Sequence, residues 1–330
     1  MSANLTPEYL KAEESYKQAK EPEEKLRYLE MMLSTIPKHK GTDKMQADIK
    51  RRISRTKESL ERRSKSKRYN PYQVEREGIA QIAVVGAPNA GKSCLVSALT
   101  NAKCQVADYP YTTVKPAPGM MQFENVQIQL VDLPPVSEEF TEAAMVSMIR
   151  NADGVVLVFD VSDPDPMAKI EEVRDVLGEH KVYIHRDPEK KFTPEGDAYL
   201  KGILLANKAD ADSAEAHLDE ITELYGGEYP IHVVSAQRGD GIEDLRRVIF
   251  DMLGVIRIYT KSRGKEPNFK EPVVLKQGAT LLDFAAEIHK DFVKSMKYAK
   301  IWSKNTDKYD GQMVNRDEVL VDEDIIQLHI

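Results

Sequence analysis

Cysteine is scarce in this 330-residue chain. Cys94 and Cys104 are its only two, too few and too unpatterned for a disulfide framework, and they point to a reducing compartment. Seven histidines show no metal-ligand spacing with them. Long apolar runs are also missing: no stretch approaches the ~20 residues that a membrane helix requires. The opening "MSANLTPEYLKAEE" has no apolar signal region. Internal repeats and low-complexity tracts are absent. These absences predict a soluble cytoplasmic protein that makes no use of histidine or cysteine chemistry.

What remains is 41% hydrophobic, enough for a packed core, and 31% charged, with a net charge of -7. The length suits about two domains at roughly 150 residues each. Charge is uneven. Between Lys38 and Arg68 stand 13 Lys and Arg against 4 Asp and Glu, a local +9 that leaves about -16 for the rest.

Three helical patterns fill residues 7 to 68. Thr6-Pro7 reads as a helix start, and Pro22 opens a second helix with a Leu26, Leu29, Met32, Leu33 stripe that ends at Pro37. A third begins near Thr42, and its stripe of Met45, Ile49, Ile53 and Leu60 is too narrow for full burial. From Ile79, apolar strands at Ile82–Val85, Ile128–Val131, Val155–Phe159, Ile203–Ala206 and Ile231–Val234 alternate with helical patterns. That predicts a mainly parallel sheet with helices on both faces. A Glu124-Asn125 turn predicts one antiparallel edge. Beyond Leu253, a strand pair, a helix and two short strands in "DEVLVDEDIIQLHI" predict a small α+β module.

"VVGAPNAGKS" fits G-x-x-x-x-G-K-[ST], directly between a strand and a helix. Its glycines, Gly86 and Gly91, let backbone amides wrap a phosphate. Lys92 then reaches the terminal phosphates and the Ser93 hydroxyl suits Mg²⁺. An inert Gly-rich turn is the alternative, and the strand–loop–helix context disfavours it. "ANKAD" supplies Asn207, Lys208 and Asp210 at a later strand end; the Asp carboxylate matches the two donors on the guanine edge, which adenine lacks. "VVSAQRGDG" places Ser235, Ala236 and Gln237 after the next strand, where a backbone amide can meet guanine O6. Each of these two is weak alone. In this order, each at a strand's carboxyl end, they are strong. Asp132 then reads as the acid that holds Mg²⁺ through water, and Thr112 or Thr113 as a hydroxyl completing the metal shell.

On "GAPNAGKS", "ADYPYTTVKPAPG", "NKAD" and "SAQ", residues from Ile79 onward resemble the Obg family of GTPases, most closely the developmentally regulated GTP-binding proteins. "GVIRIYTK", "LKQGATLLDFAAEIHKDF", "KYAKIW" and "GQMV" resemble that family's TGS domain. The resemblance implies a helical, basic region over 1–70, a P-loop GTPase domain over 71–254 and a ubiquitin-like (β-grasp) TGS domain over 255–330. It implies nucleotide contacts along Gly86, Ala87, Pro88, Asn89, Ala90, Gly91, Lys92, Ser93 and Cys94, with Asp132, Asn207, Lys208, Asp210, Ser235, Ala236 and Gln237. By alignment to the family's "YPFTT", Thr113 rather than Thr112 joins Ser93 and Asp132 at Mg²⁺. Lys92 and Thr113 are the candidate catalytic residues. Asn89 matches the position that holds K⁺ in potassium-stimulated relatives.

Three departures stand out. The interval from Asp132 to Asn207 has no room for the inserted domain of eukaryotic relatives. Glu323 occupies a turn Gly position. The family's Asp-x-Pro-Gly reads Asp132-Leu133-Pro134-Pro135 here, so the Gly whose amide meets the γ-phosphate is a Pro without one. Val136, where Ras-like proteins carry a catalytic Gln, is apolar; the family also lacks that Gln, so Val136 alone does not imply inactivity. The expected function is therefore a slow GTPase acting as a ribosome- or RNA-associated switch, through the basic helix and the TGS module (Lys290, Lys294, Lys297, Lys300, Tyr298, Trp302). A GTP/GDP-binding adaptor with negligible hydrolysis is the alternative, and an ATP-using enzyme is disfavoured by Asn207, Asp210 and Ser235.

Overall fold

The computed structural model describes residues 6–19, 22–37, 41–66, 74–100, 115–139, 141–211, 214–304 and 309–329. The chain divides into two compact units, Met1–Asn70 and Pro71–Ile330.

The first unit holds α1 (Pro7–Gln18), α2 (Pro22–Thr35) and α3 (Asp43–Ser66). Thr6 caps α1 by accepting from Tyr9 N, and its hydroxyl donates to Thr35 O at 2.9 Å, tying the start of α1 to the end of α2. A small core of Tyr9, Ala12, Leu29, Met32, Ile36 and Ile49 joins the three helices. Among the described side chains of α3, Ile49 alone is buried, as the narrow stripe requires; the side chain of Leu60 lies outside the described residues.

The second unit opens with β1 (Gln81–Val85), α4 (Lys92–Leu99), β2 (Ala117–Phe123) and β3 (Val126–Asp132). It continues through α5 (Ala143–Asn151), β4 (Gly154–Asp160), α6 (Pro166–Glu179), β5 (Val182–His185) and β6 (Ala198–Asn207). Then come α7 (Ala214–Tyr225), β7 (Ile231–Val233) and α8 (Ile242–Met252). The strand order is β2-β3-β1-β4-β6-β5, with β7 also on β6. All pairs are parallel except β2 with β3, whose register brackets the Glu124-Asn125 turn. Strands read as apolar runs because both faces are covered. Along β1, Ala83 and Val85 enter a core with α5, α6 and α7, while Ile82 and Val84 enter one with α4 and α8. Sequence reading missed β5, whose residues alternate between buried and exposed instead of forming a run.

A second, five-stranded sheet follows: β8 (Val255–Thr260), β9 (Asn268–Lys276), β10 (Tyr298–Trp302), β11 (Gln312–Val314) and β12 (Ile325–His329). Two helices, α9 (Leu281–Ile288) and α10 (Lys290–Ser295), lie between β9 and β10. The order is β11-β10-β12-β8-β9, and Phe284 of α9 is fully buried beneath it. Of the two short strands expected in the last segment, only β12 forms. Residues 318–320 instead bond the backbone at the start of α9: Leu281 N donates to Glu318 O and Leu320 N to Ala279 O. Glu323, in the turn ahead of β12, adopts φ 69. Of the aromatic and basic side chains expected on this module's surface, Lys290, Lys294, Lys297 and Tyr298 are exposed, and Trp302 is half-buried beneath the Lys261 ammonium at 4.8 Å.

The two sheets meet at Arg257 of β8, which is 3% exposed. Its Nη2 donates to Asp322 Oδ2 at 2.7 Å, and it also pairs with Glu124 at the β2–β3 turn. Its guanidinium lies 4.9 Å over the Phe250 ring of α8. Burial opposes the charge, but the hydrogen bonds to Asp322 and Glu124 outweigh it and raise the pKa. Asn125 adds bonds to Tyr259 Oη (2.7 Å) and Phe269 O (2.9 Å).

Candidate nucleotide site

The described phosphate, metal and base motifs, at Gly86–Ser93, Asp132, Asn207–Asp210 and Ser235–Gln237, fall at the carboxyl edge of the parallel sheet, the edge where open α/β sheets bind ligands. The chain leaves β1 at Gly86, whose added Cβ would come within 2.2 Å of Val158 O, so the turn tolerates no side chain there. Asn89 sits in the loop at φ 62 and is exposed. Gly91 caps α4 at φ 86, and a Cβ on it would lie 2.2 Å from Asn207 Nδ2. The helix then starts at Lys92, aiming its first amides into the loop.

Lys92 is 6% exposed and donates to Gly86 O and Ala87 O, both at 3.0 Å. Burial lowers its pKa to about 8, with Asp132 opposing. Next to it, Ser93 Oγ donates to Asp132 Oδ2 at 2.5 Å across 39 residues of chain. A hydroxyl and a carboxylate brought together make a hard-oxygen donor set. It suits Mg²⁺, which takes few protein ligands and completes its shell with water and phosphate. Among the described residues no group of three or more His, Cys, Asp or Glu side chains could hold a metal. Thr112 and Thr113 lie outside the described residues, as does Cys104.

Asn207 joins the three loops. It is 2% exposed; its Nδ2 donates to Ala90 O at 3.0 Å and its Oδ1 accepts from Ala236 N at 3.1 Å. Ser235 Oγ donates to Asp210 Oδ1 at 2.6 Å, holding that carboxyl below its usual pKa. Gln237 is exposed at the rim. Cys94 is half-buried behind Ser93; burial, and then the nearby Asp210, push its thiol pKa up. Of the described residues expected to act together, the structure brings Ser93 to Asp132, Asn207 to Ala90 and Ala236, and Asp210 to Ser235.

Two neighbours escaped sequence reading. Arg238 Nε stands 3.7 Å from Asp210 Oδ2, and Asp160 Oδ2 accepts from Lys208 Nζ at 2.6 Å. Asp160 closes the apolar run "VVLVFD" as Asp132 closes "IQLVD", so the same signal was available for it.

The Pro134-Pro135 segment is fully engaged. Residues 131–137 are all buried. Leu133 N donates to Val84 O (3.3 Å), Val136 N to Gly86 O (3.1 Å) and Ser137 N to Thr141 Oγ1 (3.1 Å). With prolines at 134 and 135, every backbone donor from 133 to 137 is either missing or committed within the protein.

The fold and this arrangement define a P-loop GTPase domain followed by a TGS domain. Residues 81–186 match the family model described as 50S ribosome-binding GTPase, and residues 256–330 match the TGS domain model. A GTP-binding protein from Pyrococcus horikoshii shares the fold with a TM-score of 0.50, covering 76% of this chain and 99% of that one at 19% identity. An uncharacterized GTP-binding protein of Methanocaldococcus jannaschii is 28% identical over 93% of both chains. Developmentally-regulated GTP-binding protein 1 of Xenopus laevis is 29% identical over 78% of this chain and 84% of its own. The Dictyostelium discoideum homolog of developmentally-regulated GTP-binding protein 2 is 26% identical, over 92% of this chain and 98% of its own. The chain is a homologue of the developmentally regulated GTP-binding proteins, Obg-type GTPases with a C-terminal TGS domain.

Proposed function

We propose that this protein hydrolyses GTP slowly to GDP and works as a ribosome- or RNA-associated switch. One observation supports this above others: Asn207 bonds both the phosphate loop and the Ser235-Ala236 loop, so phosphate and guanine contacts are built as one unit. In this reading the amides from Gly86 to Cys94 wrap the phosphates and the Lys92 ammonium moves from its carbonyl partners to the terminal phosphate oxygens. Asp210 accepts from the guanine edge while Ser235 orients it; Lys208, Ala236 and Gln237 line the base. Ser93 and Asp132, the latter through water, would hold Mg²⁺ with Thr113. That ion would supply neutralisation of the phosphate charge. In the same reading Asn89, exposed in the loop, would hold K⁺. The basic α3 and the Lys-rich surface of residues 255–330 are the proposed RNA contacts, with residues 1–70, 71–254 and 255–330 as the working parts.

A second reading has its own support. The committed amides of residues 133–137 leave that segment nothing to offer a γ-phosphate, which suits an adaptor that binds GTP and GDP alike. Single-turnover GTP hydrolysis, with and without ribosomes and in potassium against sodium, separates the two. A switch shows turnover that ribosomes accelerate and potassium favours; an adaptor shows none in any condition.

A further inference from the structure

Asp160 ends β4 opposite Asn207 in the parallel register. Its carboxylate is held on one side and grips on the other. Oδ1 accepts from Ser162 N (2.9 Å) and Ser162 Oγ (2.6 Å), and Oδ2 accepts from Lys208 Nζ (2.6 Å). Lys208 needs such a hold. Its backbone is left-handed at φ 62, where a non-glycine residue turns out of the strand line, and its side chain is 40% exposed. A long, half-exposed lysine stem samples many rotamers, and fixing it costs side-chain entropy. The grip selects one path. Lys208 Cε lies 3.9 Å from the position that a Cβ on Gly91 would occupy. The stem therefore runs from the Asp210 loop back over the phosphate loop, along the line a nucleotide bridging the two would take.

We propose that Asp160 is a positioning residue for the nucleotide. It does not touch the ligand, but it fixes the Lys208 methylene stem as a preformed wall for the base and ribose. This rests on the guanine-nucleotide reading of the site. Because the stem lies beside base and ribose, the contribution is the same whether two or three phosphates are present. The pair is partly exposed, 18% for Asp160 against 40% for Lys208, so the effect is moderate and shrinks as salt screens it.

The test is calorimetric titration of the full chain and its variants with GDP and a non-hydrolysable GTP analogue, alongside thermal denaturation. Asp160→Asn keeps the side-chain shape and loses the charge. It should weaken both nucleotides by the same factor, about 3- to 10-fold, with the melting temperature little changed. Lys208→Met keeps the stem without the ammonium, and in that background the Asp160→Asn change should have no further effect on affinity. A role confined to the fold would instead lower the melting temperature and repeat the affinity loss in the Lys208→Met background, and that result overturns the proposal. So does an Asp160→Asn protein that binds as tightly as the parent. Should the parent chain itself fail to bind GDP while folded, the guanine reading fails, and this inference with it.

Discussion

At the scale of single residues, base choice should rest with Asp210. Its carboxylate, oriented by Ser235, would be an acceptor pair for the guanine N1–H and N2–H₂ donors. Asp210→Asn replaces one acceptor by a donor, which faces xanthine O2 productively and guanine unproductively. Two charge-assisted hydrogen bonds are at stake, so GDP affinity should fall roughly 10²-fold while xanthosine diphosphate binding rises. Titration of both diphosphates against the variant reads this directly, and an unchanged guanine preference would count against the assignment. Lys92 offers a pH signature. Burial lowers its pKa to about 8, so below pH 8 it is charged and ready for phosphate. Above pH 8 it is increasingly neutral, and anion binding must draw a proton. GDP affinity should therefore decline as pH rises through about 8, with net proton uptake at pH 8.5. Calorimetry in buffers of different ionisation enthalpy would reveal that uptake, and pH-independent binding from 7 to 9 would refute it.

At the scale of elements, the segment after β3 behaves as a wall. Pro134 and Pro135 have no amide, and those of Leu133, Val136 and Ser137 are spent on Val84, Gly86 and Thr141. An amide-to-phosphate bond is worth about 1.5–3 kcal/mol. A protein lacking it should bind GDP and a GTP analogue within about tenfold of each other. Pro135→Gly should raise analogue affinity selectively, by less than that bond's full worth, since Val136 stays pinned to Gly86 and limits how far the new amide can turn. Strong preference for the analogue in the unsubstituted chain would place γ-phosphate sensing elsewhere. The β2–β3 turn is the other element with a defined task. It carries Glu124 and Asn125 to Arg257, Tyr259 and Phe269. Arg257→Met leaves Glu124 and Asp322 without their cation, while Glu323 keeps Lys304. Glu124 and Asp322 are partly solvated, so the loss should be about 2–3 kcal/mol rather than the larger figure for a wholly buried pair. Chemical denaturation should show it, and adding Glu124→Gln should recover part of the loss.

At the scale of the whole molecule, charge is segregated: +9 within residues 38–68 against a net -7 overall. In α3, Lys50, Arg51 and Arg55 are exposed. Replacing all three by Gln should lower the magnitude of the log–log salt slope of RNA binding by about 2–3, at roughly 0.7–0.9 per phosphate contact. Nucleotide affinity should not change. An unaltered slope would move the RNA contact off this helix.

The sequence by itself determined the alternation of strands and helices, because strands buried on both faces must be apolar throughout and the helices between them carry a 3.6-residue stripe. It also determined where phosphate, magnesium and guanine chemistry could sit, because each motif needs particular side chains within a few residues of a strand end. It determined the entry to α1 as well, since Thr6-Pro7 is a local cap. Tertiary structure decided what depends on partners distant in the chain. Val182–His185 pairs only because β6 extends past β4 to meet it, and residues 318–320 serve the backbone at the start of α9 rather than a strand. Arg257 is buried because Glu124, 133 residues away, and Phe250 close over it. Asp160 grips a lysine 48 residues on, and the amides beside Pro135 are spent on carbonyls of β1 and the loop after it. Local periodicity and propensity act over a few residues; the pairing of buried polar groups is settled only when distant segments exclude water together.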